Sequence, residues 1–281
     1  MNFQEKPDMK VAILDLNNGY VNQGMRCIKE ILTNYGLEND VNLTYDIYDV
    51  RQKDEVPSLE YDAYISTGGP GSPWDGEGEL WEELYFGLIS DLLFYNQIPG
   101  NSKKYIFFIC HSFQLACRYF KVGQVVPRKS NSFGVFPVHK TMKGMKEPVF
   151  KGLNDPFFIV DSRDWQVIKP DHNRIQAMGA SILALEKIRP HVPLERCIMA
   201  MRFTPEMIGT QFHPEADAAG MSAYLSTEEK MNTVINNLGE DKYFSMIRQL
   251  NDPDKITQTQ RMIIPTFLDM AIGEMQSVAV E

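Results

Sequence analysis

The chain has 281 residues, 43% hydrophobic and 23% charged, which is enough apolar sequence for a sizeable core and unlike a disordered segment. Its 28 Lys and Arg against 37 Asp and Glu leave a net charge of −9, which disfavours partnership with nucleic acid or an anionic membrane surface. No apolar run reaches the roughly 20 residues of a membrane helix.

The first ten residues read as a polar leader, unlike the apolar part of a signal peptide. Residues 10–16 (KVAILDL) are apolar enough for a buried strand. From 20 to 34, Val21, Met25, Ile28, Ile31 and Leu32 recur at helical spacing, with Gly36 placed as a C-terminal cap. Strands are predicted at 43–50 and 63–66, then a helix carrying Leu80, Leu84, Leu88, Leu92 and Leu93. A strand at 105–110 (YIFFIC) and a helix over 114–119 follow. This rhythm is that of an α/β fold: an open, mostly parallel sheet with helices on both faces.

Between 125 and 211 the helix signals thin out. Short strand-like runs at 135–139, 157–160, 182–185, 198–203 and 207–212 predict hairpins or edge strands at one end of the sheet. After Ala216 the pattern is helical: Met231, Val234, Ile235 and Leu238 share a face. Asp252 and Pro253 read as the opening of a last helix, and Pro265 as its break or restart. The expected division is a catalytic unit over 1–216 and a helical extension over 217–281, packed on that unit or across a homodimer contact. Cys27, Cys110, Cys117 and Cys197 are dispersed without a CxxC pair, as expected of free thiols in a reducing cytoplasm.

Three places can carry chemistry. Cys110 ends an apolar strand just before a helix, where the N–H groups of the first turn favour both a thiolate and a developing oxyanion. Residues 66–72 (STGGPGS) follow a strand, and glycines there let backbone approach a ligand closely. A nucleotide-binding reading of that loop fails, since neither GK[ST] nor GxGxxG can be placed. In His213-Pro214-Glu215 the proline extends His213, so the imidazole and carboxylate can lie on one side, the arrangement a cysteine's base requires. A zinc-deaminase reading fails because no cysteine follows position 197. His139, His172 and His191 share no metal-ligand spacing, so no metal site is expected.

In this order, ISTGGPGS (65–72), ICHSFQ (109–114) and GTQFHPE (209–215) resemble the GGP loop, C-x-G-x-Q elbow and HPE stretch of the class I glutamine amidotransferases, a likeness spanning roughly residues 10–216. The resemblance implies a flavodoxin-like sheet. It implies Cys110 as nucleophile, His213 as general base and Glu215 as its orienting carboxylate. The N–H groups of Gly69 and His111 would form an oxyanion hole, and Gly68 and Gln114 would contact substrate. Residues 161–165 (DSRDW) stand where relatives present substrate contacts, without a match close enough to assign roles. The elbow departs from the family pattern: Phe108 and Ser112 stand where relatives usually have glycine. Serine is small enough for such a turn, whereas Phe108 is expected to alter it.

The activity implied is hydrolysis of the glutamine side-chain amide through a cysteine thioester, with ammonia passed to an acceptor, without metal or organic cofactor. The chain has no ATP motif, so the acceptor would lie on a separate synthetase subunit or not exist. Two alternatives remain open: a γ-glutamyl peptide hydrolase or related cysteine acyl-transfer enzyme, and a catalytically degenerate binding or regulatory protein.

Overall fold

Alternation along the central strands explains why both faces of the sheet are covered. In the computed structural model, which describes residues 6–20, 22–189, 195–252 and 254–278, β1 (Asp8–Asp15) sends Met9, Val11 and Ile13 into one apolar cluster and Ala12 and Leu14 into another. The strand begins before residue 10, so the polar leader is shorter than expected; residues 1–5 lie outside the described set. Helix α1 (Gln23–Glu38) is capped by Asn22, whose side chain accepts from the Met25 N–H at 3.0 Å. Val21, expected in this helix, lies outside the described residues. The helix runs past Gly36 to a cap at Asn39. Gly36 instead permits a close return of the chain, since a Cβ there would lie 3.2 Å from the Val41 carbonyl oxygen.

Next come β2 (Asn42–Asp49), the short α2 (Val50–Lys53), β3 (Ala63–Ser66), α3 (Leu80–Gln97), β4 (Tyr105–Ile109) and α4 (His111–Phe120). In β4, Phe107 and Ile109 join the cluster under α1, while Ile106 and Phe108 join the cluster under α3 and α4. The remaining strands are β5 (Gln124–Lys140), β6 (Phe157–Ile168), β7 (Ser181–Glu186), β8 (Ile198–Thr204) and β9 (Met207–Thr210), with a short helix α5 (His172–Ala177) that the sequence pattern does not signal. The strand order is β2-β1-β3-β4-β9-β8-β7-β5-β6. Strands β2, β1, β3, β4 and β9 run parallel in the flavodoxin-like order, and β8, β7, β5 and β6 continue antiparallel to one edge.

The last third is helical: α6 (Ala218–Leu225), α7 (Glu228–Leu238), α8 (Glu240–Leu250) and α9 (Ile256–Val278). Helix α9 opens later than Asp252 and Pro253 suggest, and Pro253 is outside the described residues. Leu225, Val234, Tyr243 and Met246 pack on Val135 and Val160 of the antiparallel edge. Ile263, Ile264, Phe267 and Leu268 of α9 enter the central cluster with Phe107. Pro265 lies inside α9 and does not end it. An interior proline costs about 3 kcal/mol, and burial of the four side chains around it outweighs that. No helix among the described residues is long and apolar enough to cross a membrane.

Phe267 meets Phe107 edge-on at a centroid distance of 5.4 Å. Phe267→Ala should therefore destabilise the whole chain, by about 3–5 kcal/mol for a buried Phe truncation, in a single denaturant transition. Loss of local helicity with an unmoved main transition would mean that the extension does not share the core.

Candidate active site

A parallel sheet binds ligands beyond the carboxyl ends of its strands, at the point where strand order reverses. Here that point lies between β1 and β3, and Asn17, Gly68, Cys110 and His213 emerge around it. They line a cleft of about 730 Å³.

Cys110 joins β4 to α4 with φ +50° and ψ −98°, a strained conformation for a residue with a side chain. Its N–H donates to the Thr210 carbonyl at 2.8 Å, and its carbonyl accepts the first helical bond, from Gln114, at 3.1 Å. Ser112 tightens the turn further. Its hydroxyl accepts from the Ile109 N–H at 2.7 Å and donates to the Ser66 carbonyl at 2.8 Å, tying the ends of β3 and β4 together. Phe108 does not enter the elbow. It packs into the cluster under α3 and α4, edge-on to Phe203 at 5.9 Å, and is fully buried. Room for it comes from its partner on β9, Gly209, where a Cβ would lie 2.9 Å from both Phe108 Cβ and Phe113 Cδ2.

His213 is held by its N–H, which donates to the Val160 carbonyl at 3.0 Å, and by Nδ1, 2.8 Å from Glu215 Oε1. Cys110 faces the ring in the same cleft and interacts with it electrostatically. Burial works to lower the His213 pKa, but the Glu215 carboxylate and Cys110 outweigh it and hold the group well above its ordinary value. Glu215 is buried, and its Oε2 has no hydrogen-bond partner. The first turn of α1 comes close to this carboxylate: a Cβ at Gly24 would lie 3.0 Å from Oε1, so the positive end of α1 supports the negative charge.

Two glycines bring the loop after β3 against this pair. A Cβ at Gly68 would lie 2.9 Å from His213 Cε1 and 3.5 Å from Cys110 Cβ. At Gly69 it would lie 2.3 Å from the Leu16 carbonyl oxygen, which no side chain can satisfy. His111 opens α4, where first-turn N–H groups have no partner within the helix. Its imidazole is buried, with Nε2 unpartnered; burial, then the nearby Arg51 and Arg118, push its pKa down to about 3. The ring is therefore a neutral, buried group beside the cleft.

All seven residues singled out from the sequence thus meet at one cleft: Gly68, Gly69, Cys110, His111, Gln114, His213 and Glu215. Two further contributions were not foreseen. Gln211 accepts from Gln114 Nε2 at 3.2 Å and points its own Nε2 at Cys110 Sγ, 3.9 Å away. Its only sequence signal is its place two residues before His213. Met221, Tyr224 and Lys230, from α6 and α7, wall the cleft, although the helical extension carries no motif that announces a site. Ser162, Asp164 and Trp165 of the DSRDW stretch line the same space, and the Ser162 carbonyl lies 3.8 Å from Cys110 Sγ. No group of metal-ligating side chains occurs among the described residues. His191 lies outside them.

The family model for glutamine amidotransferase class-I matches residues 24–228, a span that holds Cys110, His213 and Glu215. A stretch of 121 residues is 27% identical to a homoserine O-acetyltransferase of Phocaeicola vulgatus, covering 43% of this chain and 36% of that protein. The chain therefore spans about a third of the length of that curated relative. Among solved structures, a glutamine amidotransferase from Thermotoga maritima superposes with a TM-score of 0.62 at 16% identity, over 94% of this chain and 98% of that one. The glutaminase domain of CTPS from Trypanosoma brucei, solved with bound acivicin, gives 0.59 at 12% identity, over 95% and 94%. At such identities the likeness is one of fold.

The four cysteines are free and buried, and they differ in surroundings. Burial pushes Cys27 and Cys197 up to about 11 and Cys117 well above the ordinary thiol value. Cys110 alone faces the cleft beside a protonated imidazole. Brief iodoacetamide treatment at neutral pH should label Cys110 first, as read by peptide mass spectrometry. Faster labelling of any other cysteine would count against the elbow as a nucleophile.

Proposed function

The chain belongs to the class I glutamine amidotransferase family, and from that premise we propose that it hydrolyses the side-chain amide of glutamine through a thioester on Cys110. The observation that carries this reading is Cys110 on a strained turn, facing the same cleft as an imidazole whose Nδ1 is fixed 2.8 Å from Glu215. His213 already holds the proton of the Cys110–His213 pair, and Sγ attacks the γ-carbonyl carbon as the thiolate. The N–H groups of Gly69 and His111 receive the negative charge that develops on oxygen, where fixed dipoles need no reorganisation. As the tetrahedral centre collapses, the C–N bond breaks and His213 returns its proton to the departing ammonia. Water, deprotonated by the same ring, then attacks the thioester; the C–S bond breaks and glutamate leaves. Gly68 and Gln114 border the substrate's path in the cleft. The ammonia would pass to a synthetase carried by another protein in the cytoplasm.

A second reading keeps the acyl-enzyme and changes the group that resolves it. The likeness to a homoserine O-acetyltransferase favours transfer of an acyl group from Cys110 to an alcohol in place of water. Offering purified protein glutamine, then an acyl thioester with homoserine, separates the two: ammonia from the first supports the amidase, and an O-acyl product from the second supports transfer. A Cys110 that reacts with neither, nor with a glutamine-analogue electrophile, would indicate a binding protein.

His213→Ala should lower kcat by about 10²–10⁴-fold, the usual value of a positioned general base, with KM little changed. Glu215→Gln should lose less, because Glu215 orients and charges the ring without moving a proton itself. Steady-state kinetics of both variants beside wild type checks the order. A nearly full kcat in His213→Ala with a dead Glu215→Gln would reverse the assignment.

A further inference from the structure

We propose that Arg118 and Arg51 are positioning residues that clamp the loop after β3 and thereby set the spacing between the two oxyanion donors, an inference that rests on the acyl-enzyme reading above. The two N–H groups come from separate elements. Gly69 lies on the loop, and His111 lies on the first turn of α4. Nothing in the covalent chain fixes one relative to the other.

Arg118 makes that connection. It sits on the helix that begins with His111, seven residues further on and so about 10 Å along its axis. Its guanidinium donates to the Pro73 carbonyl on the loop and pairs with Glu82 of α3 through two nitrogens, the second contact being 3.1 Å. The Trp74 ring stacks on it with its centroid 4.1 Å from Cζ, and Trp74 Nε1 donates to the Val125 carbonyl at 3.2 Å. Both members of the Arg118–Glu82 pair are more than nine-tenths buried. A planar fork that donates, pairs and stacks at once is a role that lysine cannot fill.

Arg51 holds the other end. Its Nη1 donates to the Pro70 carbonyl at 2.7 Å and reaches the Leu16 carbonyl at 3.4 Å, so the loop is tied to the end of β1 beside Gly69. Its guanidinium lies over Trp81, 5.4 Å from the ring centroid. Within the loop, Asp75 accepts from the Ser72 N–H at 2.8 Å, and Gly76 is packed so closely on Trp81 that a Cβ would lie 2.1 Å from its ring. The loop is therefore fastened at residues 70, 73 and 74, just beyond the two glycines that face the nucleophile. His111 fills the space near both guanidinium groups as a neutral ring, which avoids a third positive charge there.

The test compares two reactions of the same thiol. Thioester formation builds an oxyanion; alkylation by iodoacetamide does not. Arg51→Gln and the charge-balanced pair Arg118→Gln with Glu82→Gln should each lower kcat for glutamine by about 10–100-fold, below the full loss of an oxyanion donor. The second-order rate of Cys110 alkylation and the labelling stoichiometry should stay at wild-type values. Hydrogen–deuterium exchange of the peptide covering 68–76 should become faster in both variants. A parallel fall in kcat and alkylation would show a general structural role and overturn the proposal, as would unchanged exchange in the loop. Wild-type protein that releases no ammonia would refute the glutaminase reading instead, and the exchange measurement would still decide the clamp.

Discussion

A cysteine at φ +50° does not hold that conformation on its own; such strain costs on the order of 1–3 kcal/mol and persists only where the surroundings over-determine it. Much of the centre of this molecule serves that end. The Cys110 N–H is bonded to Thr210 on β9, and its carbonyl starts α4. Ser112 bridges β3 and β4 through Ser66 and Ile109. Phe108 and Phe113 on either side of the turn are packed against Gly209 and Phe203. The result puts Sγ at the top of the sheet with free helix N–H groups beside it, which is the condition for both nucleophile and oxyanion hole.

The second constraint is where charge is allowed. His213 carries a proton because Glu215 and Cys110 outweigh its burial, and the Glu215 carboxyl lies against the first turn of α1. A raised histidine contributes stability that is complete below its ordinary pKa near 6.5 and is lost as the pH rises through the raised value. His111, one residue from the nucleophile, behaves in the opposite sense. Its pKa of about 3 means that the folded chain refuses a proton the unfolded chain would take. Its burial therefore costs stability progressively as pH falls from about 6.5 towards 3. Two histidines thus line the same cleft in opposite states: one is charged and hydrogen-bonded to Glu215, and the other is neutral and buried.

What the sequence makes legible here is chemistry tied to a local backbone need. Glycines 68 and 69, a cysteine between an apolar strand and a helix, and a histidine extended by its following proline each announce a conformation as well as a reactive group. The central parallel strands β1, β3 and β4 are legible because both their faces are apolar. The antiparallel edge is less so. Strand β5 is longer than its apolar core suggests, because its pairing with β6 resumes at Ser132 and Arg163 after an irregularity that follows Pro127 and Trp165. Gly209 is not recognisable as the partner that makes room for Phe108, since that relation exists only across two paired strands. The same holds for Pro265, where local rules predict a break and long-range burial keeps the helix whole.

The helices after His213 decide more than their plain amphipathic pattern suggests. Hydrolysis and acyl transfer would both pass through an acyl group on the same thiol, so the geometry at Cys110 and His213 does not distinguish them. The difference lies in which nucleophile can approach the thioester and whether water is kept out. That approach is bounded by Met221, Tyr224 and Lys230 together with Asn131, Phe133 and Asp164, and Phe133 meets Tyr224 at a centroid distance of 6.3 Å. The first group is held over the cleft by the Leu225–Met246 packing on Val135 and Val160, and by the Arg26–Asp217 ion pair of 2.8 Å that fastens the start of α6 to α1. The α1 helix that carries this pair also brings its first turn against Glu215. The sheet therefore fixes Cys110, while the added helices shape the cleft and share one anchor with the His213–Glu215 pair.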